Sequence, residues 1–243
     1  MIKIFKDEKA VAQAIAKEMN DGLQTANPVF CLASGSTPAK GYDLFSKLPG
    51  IKDKVKHLQI VSLDEWVGIE QENTGSCYKM LEDDLFHKID LKENQIHFYN
   101  GLANDLTQEC KRIDRFLEEN PITFSLMGVG MNGHIGLNEP GSPTLDYGSI
   151  VELSKTTKEV AQKYFNEATS LEKGITLGLQ QIINSKRVIV VMTGSHKAQI
   201  AKEIIDNSEL KLPAQQLLGF GHIDFYLDEA AAQYLDEKIM RSA

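Results

Sequence analysis

Four short, nearly uninterrupted apolar runs constrain this chain most: PVFCLA (28–33), HLQIVSL (57–63), ITFSLM (122–127) and RVIVVMT (187–193). Each breaks off into a loop rich in glycine, hydroxyls or acids. Apolar runs of this length without alternation fit strands buried on both faces, and such strands belong to parallel sheets covered by helices. IHFY (96–99) and HIDFYL (222–227) read as further strands. Helical patterns fall between them. Asp7 is placed as an N-cap for a helix carrying Val11, Ile15, Met19 and Leu23 on one face. A second helix opens at Pro38, a third runs around Tyr78–Phe86, and 104–120 sets Leu106, Cys110, Ile113 and Leu117 at helical spacing. A last helix covers 196–206. The chain shows no repeat and no low-complexity linker. The expected fold is α/β, a mostly parallel sheet with helices on both faces, in one domain spanning 1–243.

Composition narrows the function. The 243 residues carry a formal net charge of −8, from 26 basic and 34 acidic residues. That balance argues against a nucleic-acid surface and against anionic membranes. Three scattered cysteines (Cys31, Cys77, Cys110) suit a reducing compartment. Neither a signal-peptide core nor a membrane-length apolar run is seen, so a cytoplasmic protein is expected.

The loops carry the chemistry. GVGMNGHIGLNEPGS (128–142) packs Asn132, His134, Asn138 and Glu139 among glycines at the end of a strand. Open sheets bind ligands at such ends. An imidazole five residues from a carboxylate, in a loop, is an inventory for proton transfer. LASGSTP (32–38) places Ser34, Gly35, Ser36 and Thr37 before a helix, where N–H groups and hydroxyls form an anion site; the same residues also read as an ordinary capped turn. Lacking a P-loop lysine, the loop suits a phosphate monoester better than a nucleotide. In SLDEWVG (62–68), Asp64 and Glu65 are costly to bury without a role or a partner; otherwise they are solvated or cap the next helix. Trp66 reads as packing. In TGSHKA (193–198), Lys197 opposes the helix dipole unless an anion lies between them. A metal held by His134, Glu139 and Asp64 lacks a second histidine at ligand spacing, so none is expected. His57, His87, His97 and His222 read as structural. Residues 144–170 are polar and weakly periodic, either a mobile lid over the catalytic loop or an ordinary surface helix.

Taken in order, LASGSTP, SLDEWVG, GVGMNGHIGLNEPG and TGSHKA resemble the glucosamine-6-phosphate deaminase/isomerase family over roughly residues 28–220. The resemblance implies a Rossmann-like sheet and no metal or organic cofactor. It implies conversion of an amino-sugar 6-phosphate and water into fructose 6-phosphate, or its epimer tagatose 6-phosphate, plus ammonia. His134 would open the pyranose, oriented by Asn132 and Glu139, and Asp64 would shuttle a proton between carbons 2 and 1. Ser34, Gly35, Ser36, Thr37, Gly133 and Lys197 would bind the substrate and its phosphate, with Lys163 standing near the place of the family's lid arginine. The enteric glucosamine enzyme has aspartate where Asn132 stands, and Gly148-Ser149-Ile150-Val151 replaces the basic stretch of its allosteric site. LDEWV, TGSCY (74–78), NGHIGLNEPG and GITLGL (174–179) look closer to the galactosamine-6-phosphate branch, which is therefore the favoured substrate, with glucosamine 6-phosphate close behind.

Two rivals share the fold. A 6-phosphogluconolactonase carries a related G-H motif but lacks the NEP ending and has no use for Asp64 and Glu139 together. A sugar-phosphate-sensing domain would normally accompany a DNA-binding segment. The expected partner is a small amino-sugar phosphate, with no nucleic acid and no membrane, in a possible homo-oligomer.

Overall fold

The computed structural model describes residues 1–206 and 211–236. Ten strands are present among them: β1 (Ile2–Phe5), β2 (Val29–Leu32), β3 (Gln59–Ser62), β4 (Asp64–Trp66), β5 (Ile96–His97), β6 (Phe124–Gly128), β7 (Ser149–Glu152), β8 (Lys173–Thr176), β9 (Val188–Met192) and β10 (Ile223–Asp228). Seven form one sheet in the order β1-β10-β9-β6-β2-β3-β5. All of its pairings are parallel, with Phe30 opposite both Ile60 and Phe124, and Val190 opposite Phe225. The α/β, mostly parallel architecture is the one the apolar runs called for.

Burial on both faces explains those runs. Along β2, Val29 and Cys31 join one core, whereas Phe30 and Leu32 join the other, so each face of the sheet has its own apolar layer. Helix α1 (Glu8–Gly22) contributes Val11, Ile15 and Met19 to the second layer, and Asp7 caps it by accepting from the Ala10 N–H at 2.8 Å. No helix among the described residues is long and apolar enough to cross a membrane.

Strand order also locates the crevice. From β2 the chain moves outward through β3 to β5, then returns to β6 on the other side of β2 and proceeds to β9 and β10. The β2/β6 pair is thus the point where the winding reverses. Loops leaving two adjacent strands there diverge to opposite faces and open a cleft at their carboxyl ends.

Two expectations need correction, and a third segment gains its elements. Asp64–Trp66 is a strand, not a loop: β4 pairs antiparallel with β8, which pairs antiparallel with β7, in a separate three-stranded sheet. Segment 144–170, expected as a lid or a surface helix, holds β7, a helix at Lys155–Ala161 and a 3-10 turn at Gln162–Tyr164. The second helix, α2 (Ser36–Ser46), opens two residues before Pro38 because Gly35 is its N-cap. Proline fits the third helical position because the N–H it lacks has no intrahelical partner there.

Candidate active site

A single pocket lies at the β2/β6 reversal, and four strand ends feed it. Ser34, Ser36 and Thr37 follow β2; Asp64 follows β3; Val129, Gly130 and His134 follow β6; His196 and Lys197 follow β9. Residues Thr156, Thr157, Val160, Lys163 and Tyr164 supply a further wall. The structure thus brings Asp64, His134, Ser34, Ser36, Thr37, Lys163 and Lys197 around one cavity. Asn132 and Glu139 stand behind His134, while Gly35 and Gly133 are backbone positions of the same loops.

The β2 loop is shaped for an anion. Tyr42, fully buried, donates its hydroxyl to the Ala33 carbonyl at 2.6 Å and fixes the turn. Gly35 then takes φ 100°, and a Cβ there would stand 3.0 Å from the Tyr164 hydroxyl, so only glycine fits both the dihedral and the space. No side chain caps α2, which leaves its first N–H groups available at the positive end of the dipole. Lys197 approaches from the β9 loop, only 9% exposed, donating to the Val129 carbonyl at 2.6 Å. Burial first, and the nearby Lys163 second, lower its ammonium pKa to about 8. Two cations gathered in a partly dry pocket repel each other unless an anion joins them. Asp228 accepts from the Gly194 N–H at 2.9 Å and so anchors the turn that presents Lys197.

Adjacent acids face opposite ways because β4 is a strand. Side chains alternate along it, so Asp64 and Trp66 line the pocket and Glu65 turns away. Glu65 is fully buried and accepts from the Trp66, Cys77 and Tyr78 N–H groups and from the Ser76 hydroxyl, at 2.8–3.0 Å. It is thereby the anchor that pins β4 to the start of helix Cys77–Leu81. Asp64 has no ion-pair partner among the described residues. Burial, then the charge of Glu65, raise its pKa to about 7, against a lowering hydrogen bond from the Cys77 thiol.

His134 rests on a polar relay. A Cβ at Gly130 would fall 2.3 Å from the imidazole ring, so the ring occupies the space that any side chain there would need. Thr157 Oγ1 lies 3.2 Å from His134 Nδ1, and Glu139 Oε2 lies 3.7 Å from the same nitrogen. Asn132 donates to Glu139 at 2.8 Å and to Ser154 Oγ at 3.1 Å, while its own oxygen accepts from the His134 N–H at 3.3 Å. Glu139 is 4% exposed. Burial works to raise its pKa, yet hydrogen bonds from His134, Thr157 and Asn132, with the imidazole's charge, bring it down to about 2. A buffered carboxylate behind a histidine, and a second carboxylate poised near neutrality across the pocket, suit proton transfer to and from carbon and oxygen.

Sequence reasoning missed several pocket residues. Cys77, His196, Thr157 and Tyr164 all line the cavity, and Ser154 bridges Asn132 to Thr157. Only Ser154 carried a readable signal, a serine at the start of a helical stretch. His97 and His222 are structural as expected: His97 stacks on Phe116, and His222 Nε2 meets the Ile183 carbonyl at 2.8 Å.

Comparison with known proteins places the chain among relatives of one family. A family model described as glucosamine-6-phosphate isomerases/6-phosphogluconolactonase matches residues 6–223. Glucosamine-6-phosphate deaminases of Bacillus cereus (strain B4264) and Bacillus anthracis (strain A0248) are 30% identical over 241 residues, covering 98% of this chain and 90% of their own. Among solved structures, a monomeric glucosamine-6-phosphate deaminase has a TM-score of 0.89 at 27% identity, covering 96% of this chain and 98% of that one. A 6-phosphogluconolactonase from Trypanosoma brucei shares the fold, with a TM-score of 0.75 at 20% identity over 97% of this chain and 98% of its own. With residues 6–223 of its 243 matched by the family model, this chain belongs to the glucosamine-6-phosphate isomerase/6-phosphogluconolactonase family.

Proposed function

We propose that the chain isomerises and deaminates an amino-sugar 6-phosphate, giving a ketose 6-phosphate and ammonia. One observation carries the reading: a carboxylate with a pKa of about 7, a histidine on a carboxylate relay and an uncapped helix end beside a buried lysine share one pocket. The phosphate is bound by Ser34, Ser36, Thr37, Lys197 and Lys163, and its binding energy holds the sugar over the two proton-transfer groups. His134 takes the anomeric proton and returns it to the ring oxygen, opening the pyranose. Asp64 removes the proton on carbon 2 and delivers it to carbon 1, while the aldehyde oxygen gains the proton that the amino group gives up, leaving a hydroxyl at carbon 1 and an imine at carbon 2. Water adds to that imine and ammonia departs. A group titrating near neutrality both accepts and releases the shuttled proton readily. The wall formed by Lys155–Ala161 and Lys163 acts as a lid, bringing Lys163 onto the phosphate and excluding water from the open chain.

The relatives named above support glucosamine 6-phosphate as the sugar, giving fructose 6-phosphate. The motifs LDEWV, TGSCY and GITLGL support a second reading, the carbon-4 epimer galactosamine 6-phosphate, giving tagatose 6-phosphate. A lactonase has no carbon-bound proton to move, so a pocket-facing Asp64 favours the isomerase over 6-phosphogluconolactone hydrolysis. Ammonia release from both amino sugars, beside acid release from 6-phosphogluconolactone, tests the reading. Ammonia from at least one sugar is the expected result, and the ratio assigns the epimer. Lactone opening without ammonia, or sugar-phosphate binding without turnover, overturns it.

A further inference from the structure

Helix Lys155–Ala161 reaches both ends of the pocket. Near its start, Thr157 touches the imidazole; just past its end, Lys163 lines the same pocket as Lys197. Thr157 is 3% exposed and is not explained by packing alone, since its hydroxyl is surrounded by polar partners.

Counting donors and acceptors fixes what that hydroxyl does. Ser154 Oγ accepts from the Thr157 N–H and from Asn132 Nδ2, both at 3.1 Å, and spends its own proton on Thr157 Oγ1 at 3.0 Å. Thr157 Oγ1 therefore keeps one proton to donate and one lone pair. Glu139, whose carboxyl pKa is held down in part by a hydrogen bond from Thr157, is the acceptor for the proton. The remaining lone pair lies 3.2 Å from His134 Nδ1, closer than the Glu139 oxygen at 3.7 Å. A lone pair at that distance is satisfied only by a hydrogen on Nδ1. The basic nitrogen is then Nε2, on the pocket side of the ring, against Gly130.

We infer that Thr157 is a positioning residue that fixes the Nδ1–H tautomer of His134, and that the helix carrying it ties this tautomer to anion binding at Lys163. The inference rests on the reading of His134 as the ring-opening group, but its first test does not need turnover. In protein labelled with nitrogen-15 histidine, the His134 ring nitrogens are read with and without inorganic phosphate as the probe. The wild type is expected to show Nε2 unprotonated when the ring is neutral, with a shift on adding phosphate. Thr157→Val is expected to mix the two tautomers and lose the phosphate response, while Thr157→Ser keeps both. Lys163→Met is expected to keep the tautomer and lose the response.

In turnover, Thr157→Val should lower kcat by about 10- to 100-fold, the loss of one buried hydrogen bond, with KM little changed. Thr157→Ser should restore most of it. Thr157→Ala removes the hydroxyl without added bulk and gives the same readout if the valine variant does not fold. An unchanged tautomer in both hydroxyl-free variants, or a serine variant as impaired as the valine one, overturns the positioning role. A phosphate response that survives Lys163→Met overturns the coupling. If the wild type releases no ammonia, the proposed function fails, and the tautomer measurements still decide this inference separately.

Discussion

Asp224 and Asp64 are both carboxylates on strands of this chain, and they are treated in opposite ways. Asp224, on β10, is 1% exposed, with its oxygens met by Arg187 at 2.7 Å and Lys3 at 2.9 Å. Arg187 also grips Glu18 at 2.9 Å, and Tyr226 donates to that same glutamate. Burial alone would raise the Asp224 pKa, but Arg187 and Lys3 hold it far below the usual carboxylate range. Asp64, half-buried on β4, has no cation paired with it among the described residues and a like charge next door, and it titrates near 7. Compensation makes a buried acid part of the scaffold. Its absence, at some cost to the fold, leaves a carboxylate that exchanges a proton near neutrality.

Four measurements break or sharpen this contrast. Asp64→Asn is expected to lower turnover by about 10²- to 10⁴-fold, the contribution of a positioned general base, while sugar-phosphate affinity by calorimetry stays close to wild type. More than a tenth of wild-type activity would end the assignment. Asp224→Asn should cost about 3–5 kcal/mol in urea unfolding because Arg187 loses a buried counter-charge, with kcat per folded molecule unchanged. Equal loss of activity in the folded fraction would erase the distinction between scaffold and site.

The third measurement follows the sign of each shift. Asp224 and Glu139 have lowered folded pKa values, so their stabilisation is complete above the unfolded value near 4 and disappears as acid protonates the folded groups. Asp64 has a raised one. Between about pH 4 and 7 the folded state binds its proton more readily than the unfolded chain, so stability falls as pH rises through that window. Asp64→Asn should therefore be about 1–2 kcal/mol more stable than wild type at pH 8 and no more stable at pH 4. A gain of the same size at both values would refer the effect to packing instead of charge. The smallest effect is expected from Glu65→Gln. Removing the neighbouring charge should move the acid limb of kcat/KM down by roughly half a unit to one unit, and a limb that stays in place would mean burial alone sets the Asp64 pKa.

What was legible in the sequence follows the same physics. Strands β2, β3, β6 and β9 lie between two apolar layers, so nearly every residue is apolar and the run declares itself. The three-stranded sheet does not. β7 alternates between partly buried and exposed, β4 is three residues long, and β4 pairs with β8 more than a hundred positions away. No local pattern encodes that pairing. Asp64, His134, Ser34 and Lys197 could be placed near one crevice because each follows a strand whose carboxyl end opens there. Thr157 and Cys77 could not, since hydroxyls and thiols are common in helices and only the folded structure brings them to the pocket.

That small sheet has a consequence for how the chain tolerates insertion and deletion. Asp64 is opposite Thr176, and Glu65 is opposite Ile175. Removing or adding one residue between β3 and β4 would slip the ribbon by one position and rotate every side chain on it to the other face. Glu65 would then enter the pocket with a side chain longer by one methylene, and the helix start at Cys77 would lose its acceptor. The proposed proton shuttle thus behaves like a reading frame: the choice between two neighbouring acids is written in the phase of a three-residue strand, and a phase error exchanges the proposed catalyst and its anchor together.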